Sequence, residues 1–320
     1  MFLVTGASGF IGGHLVELLL QRGADFRCLV RPTSSARSLP SVSTALGDLA
    51  TGEGLEEALG GIQAVIHLAG VTNALRPGDY HTGNVQASEV LAGAIRGKGI
   101  RLVHVSSLAA AGPSSNGEPL REDAEPRPIT AYGKSKLAGE RAVRALLPDA
   151  VIVRPPVVYG PRDKAVWQVL KPISKGWSLQ IGGGERWFSF IYVTDLAEAL
   201  LACAANSQAA GKTYFVAHPK PVSWSQLAAT AARIMGRQTR TLRLPPAAAR
   251  AVGSCAEAWS RITGKPGVLS REKILEAQCM CWTCDPGRAS AEWGFDARTS
   301  IEDGLAKTIA WYKGAGWLRS

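Results

Sequence analysis

The 320-residue chain lacks several features that mark other protein classes. It has no apolar run long enough to cross a bilayer, no internal repeat and no run of three consecutive like charges. A membrane span, a repeat solenoid and a nucleic-acid-binding tract are therefore not predicted. The net charge of +10 is spread along the chain, which favours solubility and attraction of an anionic cofactor. With 46% hydrophobic residues, the composition is that of a globular enzyme.

Export and metal signals are also lacking. Met1 is followed at once by a strand-like run, so we expect a cytoplasmic protein with reduced thiols. Cys279-x-Cys281-x-x-Cys284 is a single close-spaced group without a second pair or a histidine cluster, which favours half-buried thiols over a metal site. No metal is predicted. The six cysteines are Cys28, Cys203, Cys255, Cys279, Cys281 and Cys284.

The strongest motif present lies in Phe2–Gly13. Its first residues, Phe2–Val4, are typical of a strand buried on both faces of a parallel sheet. Three glycines at a spacing of three follow, and then the apolar pattern of a helix. The glycines allow a sharp turn and a close approach of backbone to a pyrophosphate, and the helix N-terminus offers free N–H groups to the phosphates. We expect dinucleotide contacts from Thr5, Gly6, Ser8, Gly9, Phe10, Ile11 and Gly12.

Strand-like and helical runs alternate up to about Arg154. This alternation predicts an α/β fold, a Rossmann-type doubly wound parallel sheet with its ligand at the carboxyl ends of the strands. Residues 1–160 are predicted to form the dinucleotide-binding domain, joined by some later segments, and residues 161–320 mainly a smaller substrate-binding lobe. The predicted strands after the first are Phe26–Val30, Ala64–Leu68, Leu102–Val105 and Val151–Val153. The predicted helices are Ile11–Gln21, Leu55–Leu59, Ala87–Ile95, Tyr132–Leu147, Thr194–Ala205, Trp224–Met235, Ala247–Ile262 and Ile301–Tyr312.

The end of the second strand bears on the choice of cofactor. Dinucleotide sites usually place a carboxylate there for the adenosine ribose, whereas this chain has Val30 followed by Arg31. A guanidinium binds a 2′-phosphate in a bidentate fork, so Arg31, with Ser34 and Arg37 nearby, favours NADP over NAD. An Arg31 that only stacks on the adenine would leave the choice open. Further cofactor contacts are expected from Asp48, Leu49, Leu68, Ala69, Gly70, Val105 and Ser106.

Tyr132 and Lys136 lie four residues apart, on one face of a predicted helix. A tyrosine hydroxyl is a weak acid or base near neutral pH unless a nearby positive charge lowers its pKa. Lys136, together with the oxidised nicotinamide ring, could supply that charge, and Ser107 at a strand end could hydrogen-bond the same substrate oxygen. The three residues predict general acid–base catalysis of hydride transfer by a nicotinamide cofactor. His67, in an apolar run, is interpreted as a satisfied core histidine.

Six motifs together resemble the extended short-chain dehydrogenases/reductases, the broad family often labelled NAD-dependent epimerase/dehydratase. They are Thr5-Gly-Ala-Ser-Gly9-Phe-Ile-Gly12, His67-Leu-Ala-Gly70, Val105-Ser-Ser107, Tyr132-Gly-Lys-Ser-Lys136, Arg154-Pro-Pro-Val-Val-Tyr-Gly-Pro161 and Phe190-Ile-Tyr-Val-Thr-Asp195. The resemblance implies a catalytic trio of Ser107, Tyr132 and Lys136, and a supporting role for Asn84. It places Pro155, Pro156, Val157 and Val158 beside the nicotinamide, and the segment near Phe190–Asp195 in closure of the substrate lobe. The expected substrate contacts are Ser107, Val158 and Phe190.

Departures from the family pattern narrow the expected function. Leu108-Ala109-Ala110 replaces the acidic pair of the sugar-nucleotide dehydratases, so dehydration is not expected. The run from Val105 to Pro113 and the C-terminal tryptophans look more like the 3β-hydroxysteroid dehydrogenase-like and dihydroflavonol reductase-like branches. The resemblance implies an NAD(P)-dependent oxidoreductase that interconverts a secondary alcohol and a ketone on a hydrophobic, steroid-like or flavonoid-like small molecule. Two alternatives stay open: a nucleotide-sugar 4-epimerase with tightly bound NAD, and a non-catalytic dinucleotide-sensing module, against which the intact trio argues.

The C-terminal third leaves further alternatives open. Its tryptophans either line an apolar substrate pocket or, as is more common, fill the core. The segment Leu242–Ile262 is either a peripheral membrane-surface helix or a flap or packed surface helix, and its alanine-rich face favours the latter. The family often forms dimers through two helices of the sheet domain, so a homodimer is also an open expectation. The tryptophans are Trp224, Trp259, Trp282, Trp293, Trp311 and Trp317.

Overall fold

A computed structural model describes residues 1–31, 42–114, 117–264, 267 and 270–318. The strands are β1 (Phe2–Thr5), β2 (Phe26–Val30), β3 (Thr44–Leu46), β4 (Ala64–His67), β5 (Arg101–Val105), β6 (Val151–Arg154), β7 (Val157–Tyr159), β8 (Trp177–Ile181), β9 (Trp187–Phe188), β10 (Phe190–Tyr192), β11 (Thr213–Phe215), β12 (Val222–Ser223), β13 (Arg240–Leu244) and β14 (Cys281–Trp282). The helices are α1 (Phe10–Gln21), α2 (Leu55–Ala58), α3 (Pro77–Tyr80), α4 (Ala87–Ile95), α5 (Leu108–Ala111), α6 (Ala131–Leu146), α7 (Lys164–Ser174), α8 (Val193–Ala205), α9 (Trp224–Ile234), α10 (Pro246–Thr263), α11 (Arg271–Gln278), α12 (Gly287–Trp293) and α13 (Ile301–Gly314).

Seven parallel strands form the central sheet, in the order β11-β6-β5-β4-β1-β2-β3. The strand order reverses next to β1, where Val4 pairs with Cys28 of β2 on one side and with Ile66 of β4 on the other. Because every strand runs the same way, all carboxyl ends open on one edge, where α/β sheets bind their ligands. The predicted Rossmann-type sheet is confirmed, and the short run β11 extends it at one edge.

Helices cover both faces of the sheet. Helices α1 and α8 pack against each other over one face, where Leu15, Val16 and Leu200 are fully buried. Helices α4 and α6 cover the other face with Leu91, Ile95 and other residues of a second core cluster. The continuously apolar strands between these layers are buried on both faces, as a parallel sheet requires.

The predicted helices and strands have the expected types, and their ends lie within two residues of the predicted ones. Helix α4 has the predicted bounds, Ala87–Ile95. Asn84 lies just before it in a π-helical turn, His81–Gln86, which leads directly into α4. A π-helical turn inside a helix often marks a functional site.

A further core cluster lies beyond the sheet, where α7, α9 and α13 bury Leu170, Leu227, Leu305 and Tyr312. Small two- and three-stranded sheets surround it, including the parallel pair β8–β13. Within the ranges described above, no helix is long and apolar enough to cross a membrane.

Most of the C-terminal tryptophans pack in the interior. Trp282 is buried, and Trp293 lies against the sheet cluster, with its ring 5.3 Å from that of Tyr214. Trp224, Trp311 and Trp317 pack against the cluster of α7, α9 and α13. Trp259 neither lines an apolar pocket nor fills the core, since its side chain on α10 is 67% exposed.

Candidate active site

The glycine loop between β1 and α1 is shaped by close backbone contacts. Gly6 has φ of +71°, and a Cβ there would lie 2.6 Å from the Ala69 backbone nitrogen. A Cβ on Gly12 would lie 2.2 Å from the Gly6 carbonyl oxygen. No side chain fits at either position without moving backbone, so the loop needs glycine at both.

A cavity of about 510 Å³ opens beside this loop at the carboxyl ends of the strands. Arg31 and Asp48 are among its walls; the Asp48 carboxylate accepts a hydrogen bond of 2.8 Å from the Ala50 N–H. Predicted cofactor contacts that line it are Thr5, Gly6, Ser8, Gly9, Arg31, Asp48, Leu49, Leu68, Ala69 and Gly70. Ser34 and Arg37 lie outside the described residues. Ten of the residues predicted for the dinucleotide thus line one space, which is bordered by glycines, by Arg31 and by the carboxylates Asp48 and Asp79.

Other predicted contacts do not line this cavity. They are Phe10, Ile11, Gly12, Val105, Ser106, Pro155, Pro156, Val157 and Val158. Gly12 packs against the Gly6 carbonyl of the loop, and Phe10 and Ile11 are the first residues of α1. The sequence reasoning had instead missed Val71, Asp79, Thr82 and Gly83, which form the opposite wall. These four come from the loop after β4 and the turns leading into α4, and no motif singles them out.

Ser107 and Tyr132 are placed by two neighbouring helix starts. Ser107 is the N-cap of α5, and its Oγ accepts a hydrogen bond of 3.1 Å from the Ala109 N–H. Tyr132 lies in the first turn of α6, which packs on α5. Gly133 allows that packing, because a Cβ there would lie 2.3 Å from the Ala109 carbonyl oxygen.

Lys136 is buried one turn after Tyr132 and donates a hydrogen bond of 2.7 Å from Nζ to the Val105 carbonyl oxygen. A Cβ on Gly70 would lie 3.8 Å from this Nζ, so the lysine is next to a wall of the cofactor cavity. Burial lowers the pKa of Lys136 to about 8, although Glu140 raises it. The ammonium group is therefore mostly charged at neutral pH and loses its charge at moderately alkaline pH.

The pKa of Tyr132 lies above its ordinary value. Burial and, to a smaller extent, Glu276 raise it to about 12, while the Ser107 side chain lowers it. Lys136 does not contribute to this shift, and its Nζ is hydrogen-bonded to Val105. Desolvation of the phenolate outweighs the attraction that the sequence alone suggested. Tyr132 is thus protonated at neutral pH.

Asn84 links the cavity wall to the helix that carries Tyr132. Its Oδ1 accepts a hydrogen bond of 2.7 Å from the Val71 N–H, and its Nδ2 donates to the Val71 carbonyl and to Ser135 Oγ, each at 2.9 Å. Gly139 lets the two helices approach, since a Cβ there would lie 2.3 Å from the Asn84 carbonyl oxygen. This geometry fits the supporting role that the family resemblance implies for Asn84.

A buried ion pair joins α6 to the sheet. Arg154 Nε and Nη2 donate to the two oxygens of Glu140 at 2.9 and 2.6 Å, and both side chains are buried. The Ser106 hydroxyl donates to the same carboxylate. The pair therefore ties the helix of Tyr132 to the strand end that precedes Ser107. Sequence reasoning missed Glu140, because nothing in its surroundings along the chain points to Arg154.

His67 is fully buried, with Nδ1 2.7 Å from Thr5 Oγ1 and Nε2 3.1 Å from Ser88 Oγ. Burial lowers its pKa to about 3, so it is neutral and belongs to the core. Its neighbour His104, with ring centroids 5.3 Å apart, is also buried and has no hydrogen-bond partner at either ring nitrogen.

Helix α11 covers the start of α6. The Ala131 N–H donates to Glu272 Oε1 at 2.6 Å, and Thr130 Oγ1 donates to Glu276 Oε1 at 3.4 Å. Lys273 Nζ lies 5.8 Å from the centroid of the Tyr132 ring. Two carboxylates at a helix N-terminus are favourably placed for the helix dipole. No motif in the sequence points to these contacts.

Phe190 and Val158, the predicted substrate contacts besides Ser107, lie on the neighbouring parallel strands β10 and β7. Phe190 is 5% exposed, with its ring 5.9 Å from that of Tyr159. Val158 is half-buried. Phe190 is therefore mainly a core residue.

A model of the NAD dependent epimerase/dehydratase family matches residues 2–217. The chain belongs to this family. It is an enzyme of the extended short-chain dehydrogenase/reductase type, an NAD(P)-dependent oxidoreductase or epimerase. This finding sets aside the non-catalytic sensing module.

Individual relatives cover nearly the whole chain. Ceramide reductase of Caulobacter vibrioides (strain NA1000 / CB15N) is 32% identical over 98% of this chain and 95% of the relative. N-acetyl-alpha-D-glucosaminyl-diphospho-ditrans,octacis-undecaprenol 4-epimerase of Escherichia coli O157:H7 is 27% identical over 96% of this chain and 93% of the relative. The structure of MoeE5 in complex with UDP-glucose and NAD matches with a TM-score of 0.75 and 27% identity, covering 98% of this chain and 99% of that one. The family is NAD-dependent, and NAD is bound in this neighbour.

Proposed function

We propose that the protein is an NADP(H)-preferring reductase that interconverts a ketone and a secondary alcohol on a lipid-like substrate, with Ser107, Tyr132 and Lys136 as its catalytic residues. The observation that carries the proposal is the position of Tyr132 in the first turn of α6, hydrogen-bonded by Ser107 and one helical turn from Lys136 at the wall of the cavity. A bound nicotinamide cofactor would supply or accept the hydride.

Tyr132 serves as the general acid in this mechanism. Reduction of a ketone requires a proton donor at the carbonyl oxygen, and the raised pKa of Tyr132 keeps its proton in place at neutral pH. The Ser107 side chain hydrogen-bonds Tyr132, and its Oγ accepts a hydrogen bond from the Ala109 N–H, so Ser107 is held where its O–H would donate to the same carbonyl oxygen once a substrate binds. Two donors aimed at one oxygen orient the carbonyl and stabilise the negative charge that develops on it.

Lys136 supplies a positive charge close to the reacting groups. Its ammonium group is held by the Val105 carbonyl at the end of β5 and is mostly charged at neutral pH. The ammonium group lies next to Gly70 in the wall of the cavity, where it would contact a bound cofactor and so act on the reaction without shifting the Tyr132 pKa. Asn84 and Glu140 position the helix that carries both residues, through Ser135 and Arg154 respectively.

The preference for NADP is supported by Arg31. It lies at the carboxyl end of β2 as a wall of the cavity, and its side chain is exposed there. A guanidinium in this place attracts a 2′-phosphate, whereas a carboxylate would repel it.

The lipid-like substrate is supported by the relatives named as ceramide reductase and as an undecaprenol-linked 4-epimerase, since both carry a lipid in their names. The type of reaction is supported separately: α5 follows Ser107 with the buried apolar residues Leu108, Ala109 and Ala110, which offer no carboxylate for dehydration.

A second candidate is the nucleotide-sugar 4-epimerase with tightly bound NAD. It is favoured by the epimerase relative and by MoeE5, which binds UDP-glucose and NAD. An epimerase regenerates its cofactor in every cycle, so purified protein would contain NAD and show no net consumption of it. A reductase consumes NADPH in proportion to product.

Tyr132→Phe tests the mechanism. We expect ketone reduction to fall by about 10²–10⁴-fold, the usual contribution of a general acid, while cofactor binding persists. Tyr80→Phe is the matched control, because this substitution also removes one phenolic hydroxyl, and the Tyr80 ring lies 6.2 Å from the Tyr132 ring. A Tyr132→Phe enzyme as active as the Tyr80→Phe enzyme would refute the role of Tyr132.

Arg31→Ala tests the cofactor preference separately. NADPH and NADH are titrated into the native protein, into Arg31→Ala and into the control Arg96→Ala, an exposed arginine on the far side of α4. We expect the substitution at Arg31 to weaken NADPH binding and leave NADH binding unchanged. Equal weakening for both cofactors would mean that Arg31 stacks on the adenine instead. Tight NAD in the purified protein would make the epimerase the leading candidate.

A further inference from the structure

Helix α10 has one packed face and one bare face. Ala249 and Ser260 are buried, and a Cβ on Gly253 would lie 2.8 Å from Ile274 Cγ1 of α11. These three positions are spaced by four and by seven residues, which puts them on one side of the helix, the side that packs on α11. The helix is therefore held in place from one side only.

The opposite face of α10 is apolar and exposed. Val252, Trp259 and Ile262 are 50%, 67% and 78% exposed, and their spacing puts them on one stripe. We call this the α10 stripe. Its other exposed members are Ala248, Ala251, Cys255 and Ala258. None of these seven residues carries a charge, over more than three helical turns. A contiguous exposed apolar surface of this kind marks a contact with a partner.

The chain around the stripe is strongly cationic. Residues 199–256 contain seven lysines and arginines and no aspartate or glutamate. Arg240 and Arg243 on β13 and Arg250 on α10 are exposed, and Leu242 between the first two is 45% exposed. Arginines beside an apolar stripe that contains tryptophan are the composition of a helix that lies in a membrane interface.

We propose that the α10 stripe docks on the surface of an anionic lipid bilayer. The stripe provides the apolar surface that enters the headgroup region, and the arginines of β13 and α10 attract the anionic headgroups. A second copy of the chain is a poorer occupant, because a symmetric contact would bring the same cations together, and Glu257, the carboxylate of α10, already pairs with Arg271 of α11 at 3.8 Å. The inference deepens the proposed function, since it rests on a lipid-like substrate.

The stripe is one helix away from the reacting groups. Helix α11 packs on α10 with Ile274 and contacts the start of α6 with Glu272, next to Tyr132. Its Lys273 lies over the Tyr132 ring. A bilayer bound to α10 therefore lies on the outer side of the helix that covers the site.

Vesicle sedimentation of the full chain tests the proposal. The probes are vesicles of phosphatidylcholine alone and of an equimolar mixture with phosphatidylglycerol. We expect binding to the anionic vesicles, a loss of at least tenfold in Trp259→Glu/Ile262→Glu, and about a fivefold loss for each charge removed in Arg243→Ala/Arg250→Ala. Leu20→Glu, which changes a residue 44% exposed on α1, is the matched control and should bind as the native chain does.

Other outcomes overturn the proposal. It fails if the native chain does not sediment with anionic vesicles, or if Trp259→Glu/Ile262→Glu and Leu20→Glu bind equally well. It also fails if the double variant leaves vesicle binding unchanged and converts a dimer to a monomer in sedimentation velocity, which would assign the stripe to a second copy. NADPH titration and Tyr132→Phe turnover test the proposed function without vesicles, so the reductase mechanism and the docking surface can fail independently.

Discussion

Glu140→Gln removes one charge of a buried ion pair and leaves the other in place. In the native chain the Glu140 carboxylate receives two hydrogen bonds from Arg154, at 2.9 and 2.6 Å, and one from Ser106. The side chains of Glu140 and Arg154 are 7% and 6% exposed. Water cannot replace the lost partner at that depth. The Arg154 guanidinium then remains buried without a counter-charge.

Breaking a buried ion pair on one side typically costs about 3–5 kcal/mol. We expect the free energy of unfolding to fall by roughly this amount, which is a large share of the 5–15 kcal/mol that stabilises an ordinary domain. Removal of both charges in Glu140→Met/Arg154→Met avoids the uncompensated charge and is expected to recover most of the loss. The double variant is thus more stable than the single one, although it has more substitutions.

Urea unfolding followed by circular dichroism measures these differences, with slopes compared to confirm that the unfolding transition is the same. Glu198→Gln is the control, because its ion pair with Arg22 lies on the surface, and exposed pairs contribute about 0–1 kcal/mol. A loss below about 1 kcal/mol in Glu140→Gln would refute the reasoning, since it would equal that of an exposed pair. A double variant no more stable than the single one would do so as well.

Two further predictions concern the cofactor loop and the buried lysine. Gly12→Ala should abolish cofactor binding or folding, because its Cβ would lie 2.2 Å from the Gly6 carbonyl oxygen. Thermal unfolding with and without NADPH checks this. Gly13→Ala is the control, because its Cβ has no neighbour closer than 3.9 Å. The pKa of Lys136 is lowered to about 8, so its charge is present below that pH and lost above it. Turnover should therefore fall as the pH rises through about 8. In Lys136→Arg, whose side chain stays charged, turnover should not fall in this pH range. If turnover of Lys136→Arg falls in the same way, another group is responsible for the decrease.

The sequence alone determined the elements that depend on local chemistry. The strand β1, the glycine loop and α1 follow from an apolar run, three glycines and a helical repeat within a dozen residues. The same holds for α6, where Thr130 caps the helix and accepts a hydrogen bond from the Gly133 N–H at 3.1 Å. Alternation of such elements is enough for the parallel sheet, because right-handed crossovers leave few other arrangements.

Only the tertiary structure decided which distant side chains contact each other and which are buried away from water. Glu272 reaches the N-terminus of α6 across 141 residues, and burial beneath such elements raises the pKa of Tyr132 instead of lowering it. The same applies to Trp259, whose residue type favours burial but whose helix packs by its other side. Desolvation and packing depend on what covers a residue, and the covering element is set by the whole chain rather than by its neighbours in sequence.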